Sequence, residues 1–299
     1  ITTLSISGAL FLIILMRSMQ FGFYDNIINT IVQSYSGYVQ IHANGYWDKQ
    51  SVNNSMEVDK KLLNEINSID GINNIAKRLQ TFSLVSKGEK SKGAIINGIE
   101  VEKEQLITDW DKKIIEGSSS FKKSDQLILS KGIAEYFNVE IGDTLVLFGQ
   151  GYQGMMAAGK YVAEGIIDLA NPKLNEMAIF MDIKSAQEYI SSENIATHLI
   201  IDKEQYYDEE KIAKDIANTI SNDYEVMIWK EILPELDQMI TADNAGGLIM
   251  AFILYVVVCF GMFGTVLMMT EERMYEFGVL LSIGMGKIKL YLIILLETI

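Results

Sequence analysis

Cysteine is almost missing from this chain. Cys259 is the only one in 299 residues, and it lies inside an apolar run. The stretch between the terminal apolar runs therefore holds no internal disulfide and must fold on its own core. Histidine is nearly as scarce. His42 and His198 sit in strand-like segments, with no acids or cysteines around them at metal-ligand spacing, so each reads as a structural or surface residue. A phosphate loop is missing too. In "SIGMGKIK", Leu281 stands where GxxxxGK[ST] needs its first glycine, and Ile288 stands where it needs Ser or Thr. The chain does not bind nucleotide in that way. Nor is there a basic excess. Residues 17–244 hold 22 Lys and Arg against 35 Asp and Glu, within a net charge of −14. That balance argues against nucleic acid, which needs a basic face, and reads as a solvated acidic surface.

What is present is apolar sequence at both ends. "NAGGLIMAFILYVVVCFGMFGTVLMMT", residues 244–270, carries no charge across 27 residues. A helix crosses a bilayer with about 20 apolar residues, so this run spans. "ITTLSISGALFLIILM" places 16 uncharged residues before Arg17 without an initial Met or a basic n-region. It reads as a spanning helix whose start is cut off, not as a signal peptide. "IKLYLIILLETI" opens a third run at the other end. The expectation is a piece of a longer multi-pass membrane protein whose C-terminal half is missing.

Between the runs, periodicity points to mixed helices and strands. Tyr24, Ile27, Ile28, Ile31, Val32 and Tyr35 are helically spaced and predict an amphipathic stalk ended by Gly37. "YVQIH" starts a strand. Asn54 or Ser55 is expected to cap a helix with Val58, Leu62 and Ile66 buried, stopped at Asp70-Gly71 and followed by two strands. Strand, short helix from Ser130, Gly-Asp turn and strand follow in "QLILSKGIAEYFNVEIGDTLVLFGQG". The loop "GQGYQGMMAAGK" comes next. A strand and a helix capped by Asp182, then a β-α-β unit over "THLIID", "EEKIAKDIANTISN" and "YEVMIW", complete the middle. Leu233, Leu236, Met239 and Ile240 form one side of a helix leading into the apolar run at 244–270. The predicted fold is an α-helical transmembrane protein with a large α+β extracytoplasmic domain inserted between transmembrane helices 1 and 2. The short 271–289 loop carries Arg273, Lys287 and Lys289. Short basic loops stay cytoplasmic while long domains translocate whatever their charge, so the domain is placed outside.

One segment carries a resemblance. "TEERMYEFGVLLSIGMGKIKLYLIILLE" is similar to the stretch between the second and third spans of the MacB/FtsX-like ABC transporter permeases. Glu272-Arg273, Glu276-Phe277-Gly278, Ser282-Ile283-Gly284 and Leu295-Leu296-Glu297 fall where that superfamily has its recurring pairs and triplets. In the middle region, "LILSKGIAEYFNVEIGDTLVLF", "GIIDLANPKLNEMAIFMDIKSAQEYI" and "YEVMIWKEILPELDQMI" most resemble the lipoprotein-releasing permeases LolC and LolE.

The resemblance implies a MacB-like periplasmic domain in a bacterial inner-membrane permease with no catalytic site of its own. It divides the chain into transmembrane helix 1 and stalk (1–36), periplasmic domain (37–229), stalk helix and transmembrane helix 2 (230–270), cytoplasmic coupling helix (271–287) and the start of transmembrane helix 3 (288–299). Such permeases pair with a second copy or paralogue and dock on a separate ABC ATPase, which holds ATP-Mg; this chain binds no cofactor or metal. Glu272, Arg273, Met274, Glu276, Phe277, Gly278, Gly284 and Lys287 are the implied ATPase-coupling residues. Met274, Phe277, Leu280 and Leu281 are spaced for one apolar helical face, and Glu272, Arg273 and Glu276 for a polar one. Phe11, Ile14, Met250, Leu254 and Val257 are candidates for a cavity taking a lipid anchor. Tyr152, Met155 and Met156 are a candidate partner loop, although it lacks the proline of the LolC hook that engages the lipoprotein chaperone, and a glycine-rich turn fits as well. Glu297, about 12 Å along a helix past Lys289, is a functional intramembrane acid or pairs with a neighbouring span.

Three functions fit the resemblance: release of lipoproteins from the outer leaflet, MacB-like export of peptides or small molecules with a periplasmic adaptor, and FtsX-like regulation of a cell-wall hydrolase.

Overall fold

The computed structural model describes the backbone of residues 2–204 and 206–298 and the side chains of residues 7–32, 35–204 and 206–294. The chain forms two compact units, Ile27–Pro234 and Ile1–Asn26 with Glu235–Ile299.

The second of these is helical. Thr2–Ile28 and Pro234–Glu272 are its long helices, followed by Met274–Ser282 and Lys287–Thr298. The segments Ser7–Val32 and Pro234–Glu272 are long and apolar enough to cross a membrane, and of an apolar 18-residue stretch in each only 11% and 6% is buried. A core helix of a soluble protein would be covered by protein. Leu233 does not join the long helix as its spacing suggests: at φ −123°, ψ 62° it is non-helical. The ring of Pro234 disfavours the helical region for the residue before it.

The Ile27–Pro234 unit holds twelve strands: β1 (Val39–Ala43), β2 (Met56–Glu57), β3 (Ile72–Lys87), β4 (Lys90–Ile99), β5 (Ile114–Gly117), β6 (Gln126–Ser130), β7 (Thr144–Gln150), β8 (Met156–Ile167), β9 (Ala178–Asp182), β10 (Ile195–Ala196), β11 (His198–Lys203) and β12 (Tyr224–Ile228). All but β2 and β10 belong to one sheet in the order β12-β1-β11-β3-β4-β9-β6-β8-β5, with β7 bridging β3 and β8. Most neighbours are antiparallel; β4–β9 and β6–β8 are parallel.

Two lobes share this sheet. In the first, β1 lies between β11 and β12 and is antiparallel to both. The predicted β-α-β unit is therefore split by an inserted strand. Its crossover helix Glu209–Thr219 and the helix Lys60–Asn67 bury Ile212, Ile216, Leu62 and Ile66 with Ile41 and Leu199 of the sheet. Lys60–Asn67 starts later than expected. Asp59, not Asn54 or Ser55, caps it, its Oδ1 accepting the Leu62 N–H at 2.8 Å. Val58 lies just before the helix and is buried.

In the second lobe the sheet closes on itself. β3, β4, β9, β6, β8 and β7 are hydrogen-bonded in turn, and β7 returns to β3 through Leu84↔Phe148. Closure leaves no free edge between these strands. Alternate residues fill the inside, among them Leu79, Ile96, Leu129, Leu145, Leu147 and Ile179, each fully buried. At roughly 25 cal/mol per Å² of apolar surface, this interior and the helix face against β1 and β11 supply the stability that a disulfide-free domain needs.

The loop expected between the strands of "GQGYQGMMAAGK" is shorter than its composition suggests. β7 and β8 form a hairpin pairing Gln150 with Met156. Only residues 151–155 make the connection, with Gln153 at φ 50° and Gly154 at φ 80°.

Candidate functional site

The charged segment after the second long helix is an elbow between helices. Arg273 breaks the helix at φ −102°, ψ 9°, and Met274–Ser282 restarts it. Gly284 then takes φ +95°. In that conformation, which glycine adopts without strain, the Met285 N–H turns back to the Leu280 carbonyl at 3.1 Å and caps the helix end. Lys287 opens the next helix.

Within the elbow Phe277 is buried and Leu280 half-buried, whereas Met274 and Leu281 of the same spacing are exposed, at 63% and 39%. Tyr275 and Ile283 are more open still, at 85% and 78%. Glu272, Glu276, Gly278 and Lys287 are exposed. Arg273 Nε lies 3.7 Å from Glu276 Oε2 with both side chains largely in solvent, a pair worth little in stability. The elbow thus offers apolar groups beside the Glu276 carboxylate on one nine-residue helix.

The cavity candidates are spread along the long helices. Phe11, Ile14, Met250 and Val257 are 61–67% exposed and Leu254 is half-buried. Among the described residues of these helices, Ile13 and Tyr24 on the first and Ala251 on the second are buried. The backbone of Glu297 is helical, but its side chain lies outside the described residues.

At the β7–β8 hairpin Tyr152 packs against the ring interior, while Met155 and Met156 are exposed at 57% and 70%. The outer wall of the ring continues their apolar surface. Phe82, Leu84, Val146 and Phe148 stand outward from β3 and β7, 40–62% exposed. A 450 Å³ open groove is lined by Phe82, Leu84 and Phe148 together with Lys49–Val52. The single-sequence pattern shows these strands as alternating but does not reveal that both of their faces are largely apolar.

A buried polar cluster went unread in the sequence. The face of β1, β11 and β3 opposite the helices is covered by the helix Val101–Thr108 and by the wide π-helical turns Asn29–Ser36 that extend the first long helix. Arg78 of β3 grips Glu104 with two hydrogen bonds, Nε to Oε1 at 2.6 Å and Nη2 to Oε2 at 2.9 Å, both residues almost fully buried. The ring of Tyr35, from the π turns, covers the guanidinium at 4.5 Å, and its hydroxyl donates to Asn97 at 3.0 Å. Burial pushes the Tyr35 hydroxyl up and lowers Lys113 to about 8, with the Arg78 charge adding to the latter. Nearby, His42 and His198 face each other across β1 and β11 with ring centroids 5.6 Å apart. The His198 Nδ1 is 3.0 Å from the Thr197 hydroxyl, and His42 stacks on Tyr46. Burial lowers His42 to about 4 and His198 well below the usual imidazole range. Both are structural histidines held neutral. Among the described residues no group of three or more His, Cys, Asp or Glu is placed to hold a metal ion. The Arg78–Glu104 pairing could not be read because its partners lie 26 residues apart and no local period links them.

No family model and no curated protein matches the chain. Among solved structures it is similar to the extracellular domain of the ABC-type transporter YknZ from Gram-positive bacteria, at 12% identity over 64% of this chain and 100% of that one, with a TM-score of 0.44. It is also similar to the periplasmic region of MacB from Actinobacillus actinomycetemcomitans, at 13% identity over 70% and 95% of the two chains, TM-score 0.46. A domain of a permease protein from Porphyromonas gingivalis overlaps at 10% identity over 63% and 85%, TM-score 0.40.

Proposed function

We propose that this chain is the permease subunit of an ABC transporter, with the Ile27–Pro234 unit outside the cytoplasmic membrane of a bacterium and the elbow inside. The observation that carries the reading is the elbow: a nine-residue helix between an uncovered apolar helix and the next apolar run, bearing the Glu-Arg, Glu-Phe-Gly and Ser-Ile-Gly pattern of such permeases. The ATPase partner seats on Met274, Tyr275 and Glu276, with Phe277 anchoring the helix and Gly278 and Gly284 allowing close approach and a sharp exit. ATP-Mg stays on that partner. A second permease copy or paralogue completes the transporter, and the spans sit in membrane lipid.

The side assignment is supported by Arg273, Lys287 and Lys289 in the short loop. In reconstituted vesicles with its ATPase, Glu276→Lys should abolish stimulation of transport by ATP while leaving the extracytoplasmic unit protease-resistant; unchanged coupling refutes this contact.

For cargo we propose lipoproteins, drawn from the outer leaflet with the lipid anchor entering beside Phe11, Ile14, Met250, Leu254 and Val257. A periplasmic chaperone or adaptor is received at Met155 and Met156. Support comes from the sequence resemblance of the middle region and from the exposure of these side chains. Depletion of the chain should strand triacylated lipoproteins in the inner membrane; normal sorting refutes the cargo and leaves the permease reading standing.

A further inference from the structure

The first two apolar helices are joined by a compact set of polar side chains. Arg17, Gln20 and Tyr24 recur at intervals of three and four on the first helix and so share one face. Asp243, Asn244 and Gly247 share a face of the second. Arg17 Nη2 donates to Asn244 Oδ1 at 2.8 Å, and its Nη1 donates to Gln20 Oε1 at 2.7 Å. The Gln20 amide donates to the Asp243 carboxylate at 2.9 Å and to the Asp243 carbonyl at 3.0 Å. The Tyr24 hydroxyl donates to the same carboxylate at 2.6 Å. Gly247 lies against their ends: a Cβ there would meet Gln20 Oε1 at 2.7 Å and Arg17 Nη1 at 3.0 Å, and those ends would have to shift. One turn farther along each helix Ile13 and Ala251 are buried, at 8% each, so the seam passes from polar to apolar.

From this we infer that Arg17, Gln20, Tyr24, Asp243 and Asn244, with Gly247 as the gap that admits them, lock the two spanning helices into a single rigid hairpin. Charge-assisted hydrogen bonds are about twice as strong as neutral ones, and here four of the six hydrogen bonds among these groups involve an ionised group. Apolar helices in lipid gain no hydrophobic drive toward each other, so small residues and polar contacts set how they associate. The lock places both kinds at one level. The lock concerns only how two helices are tied, and it stands or falls separately from docking of an ATPase.

The test is the distance between spin labels at Met19→Cys and Leu248→Cys in the full chain in lipid, with Cys259→Ser to remove the native thiol. Met19 and Leu248 are 70% and 57% exposed and lie outside the lock. The intact lock gives a single narrow distance distribution. The double change Arg17→Ala with Asp243→Ala, and separately Gly247→Leu, which removes no polar group, should each lose that narrow peak. A narrow peak retained in either overturns the inference. Tyr24→Phe deletes one hydroxyl and keeps the test decisive if the larger changes fail to insert: it should add a second, longer distance, and an unchanged distribution overturns the lock.

Discussion

The same residue types do opposite things in the two units of this protein. In Ile27–Pro234, Ile96, Leu129 and Leu147 are fully buried inside a closed ring of strands. In the helical unit Phe252, Val257 and Phe260 are 61–71% exposed. Apolar surface of that extent is not left in water by a folded chain. Burial by protein explains the first set, and lipid is the solvent that explains the second. The polar residues reverse in step. The large unit hides Arg78, Glu104, His42 and His198, while the helices bring theirs to one level around Asp243. What distinguishes the units is therefore where each finds its low-dielectric surroundings, not how apolar each is.

The comparison breaks most severely at the buried ion pair. Glu104→Ala leaves the Arg78 guanidinium buried without its carboxylate, and loss of one partner of such a pair costs about 3–5 kcal/mol. Chemical denaturation of the full chain in detergent should show this loss in the large unit alone, with the helical signal of the spans retained. Arg78→Met with Glu104→Met should recover most of it, since apolar replacement of both partners is close to neutral. Next in size is acidity. His42 is lowered from 6.5 to about 4, so the unfolded chain binds its proton first as pH falls. The stability held by the neutral ring is complete above about pH 6.5 and is lost down to about pH 4. For His42 alone this loss is about 3 kcal/mol, and His198 adds in the same direction. Titrating the unfolding midpoint should show the slope between those pH values, and His42→Phe should flatten it. The last two changes sharpen the contrast between solvents, and only the second of them is small. Leu129→Ala, inside the ring, should cost about 2–5 kcal/mol. Val257→Ala, at an exposed position of the second long helix, should shift the same unfolding transition by under about 0.5 kcal/mol.

Much of the fold could be read before any coordinates, and the reasons are local. Uncharged runs mark the two long helices, the segments of β3, β4, β6 and β9 read as strands, and Asp182 caps its helix with Oδ1 accepting the Lys184 N–H at 2.9 Å. What was not legible depends on pairing at a distance. β1 inserted between β11 and β12 joins residues far apart in the chain, as does the return of β7 to β3. The stretch "KEQLITDWDKKIIEG" had no clear period, and it supplies the helix carrying Glu104 and the edge strand β5. The shift of the helix cap to Asp59 was a choice among neighbouring capping residues that only the buried Val58 decides. In the elbow, spacing grouped Met274, Phe277, Leu280 and Leu281. The fold buries Phe277 and leaves Met274 open, because helix spacing defines a face without saying how much of it is covered. The Arg17–Asp243 set shows the same limit. Each half follows helical spacing, and only the folded chain joins the halves.

One consequence follows from β3. Its 16 residues, about 50 Å at the usual rise per residue, give the first lobe its edge against β11 and the second lobe one wall of its ring. The two lobes are two rooms built on one beam. A load applied through the Tyr35 stack on Arg78 enters that beam near its middle and reaches the Phe82–Leu84 wall within one continuous strand.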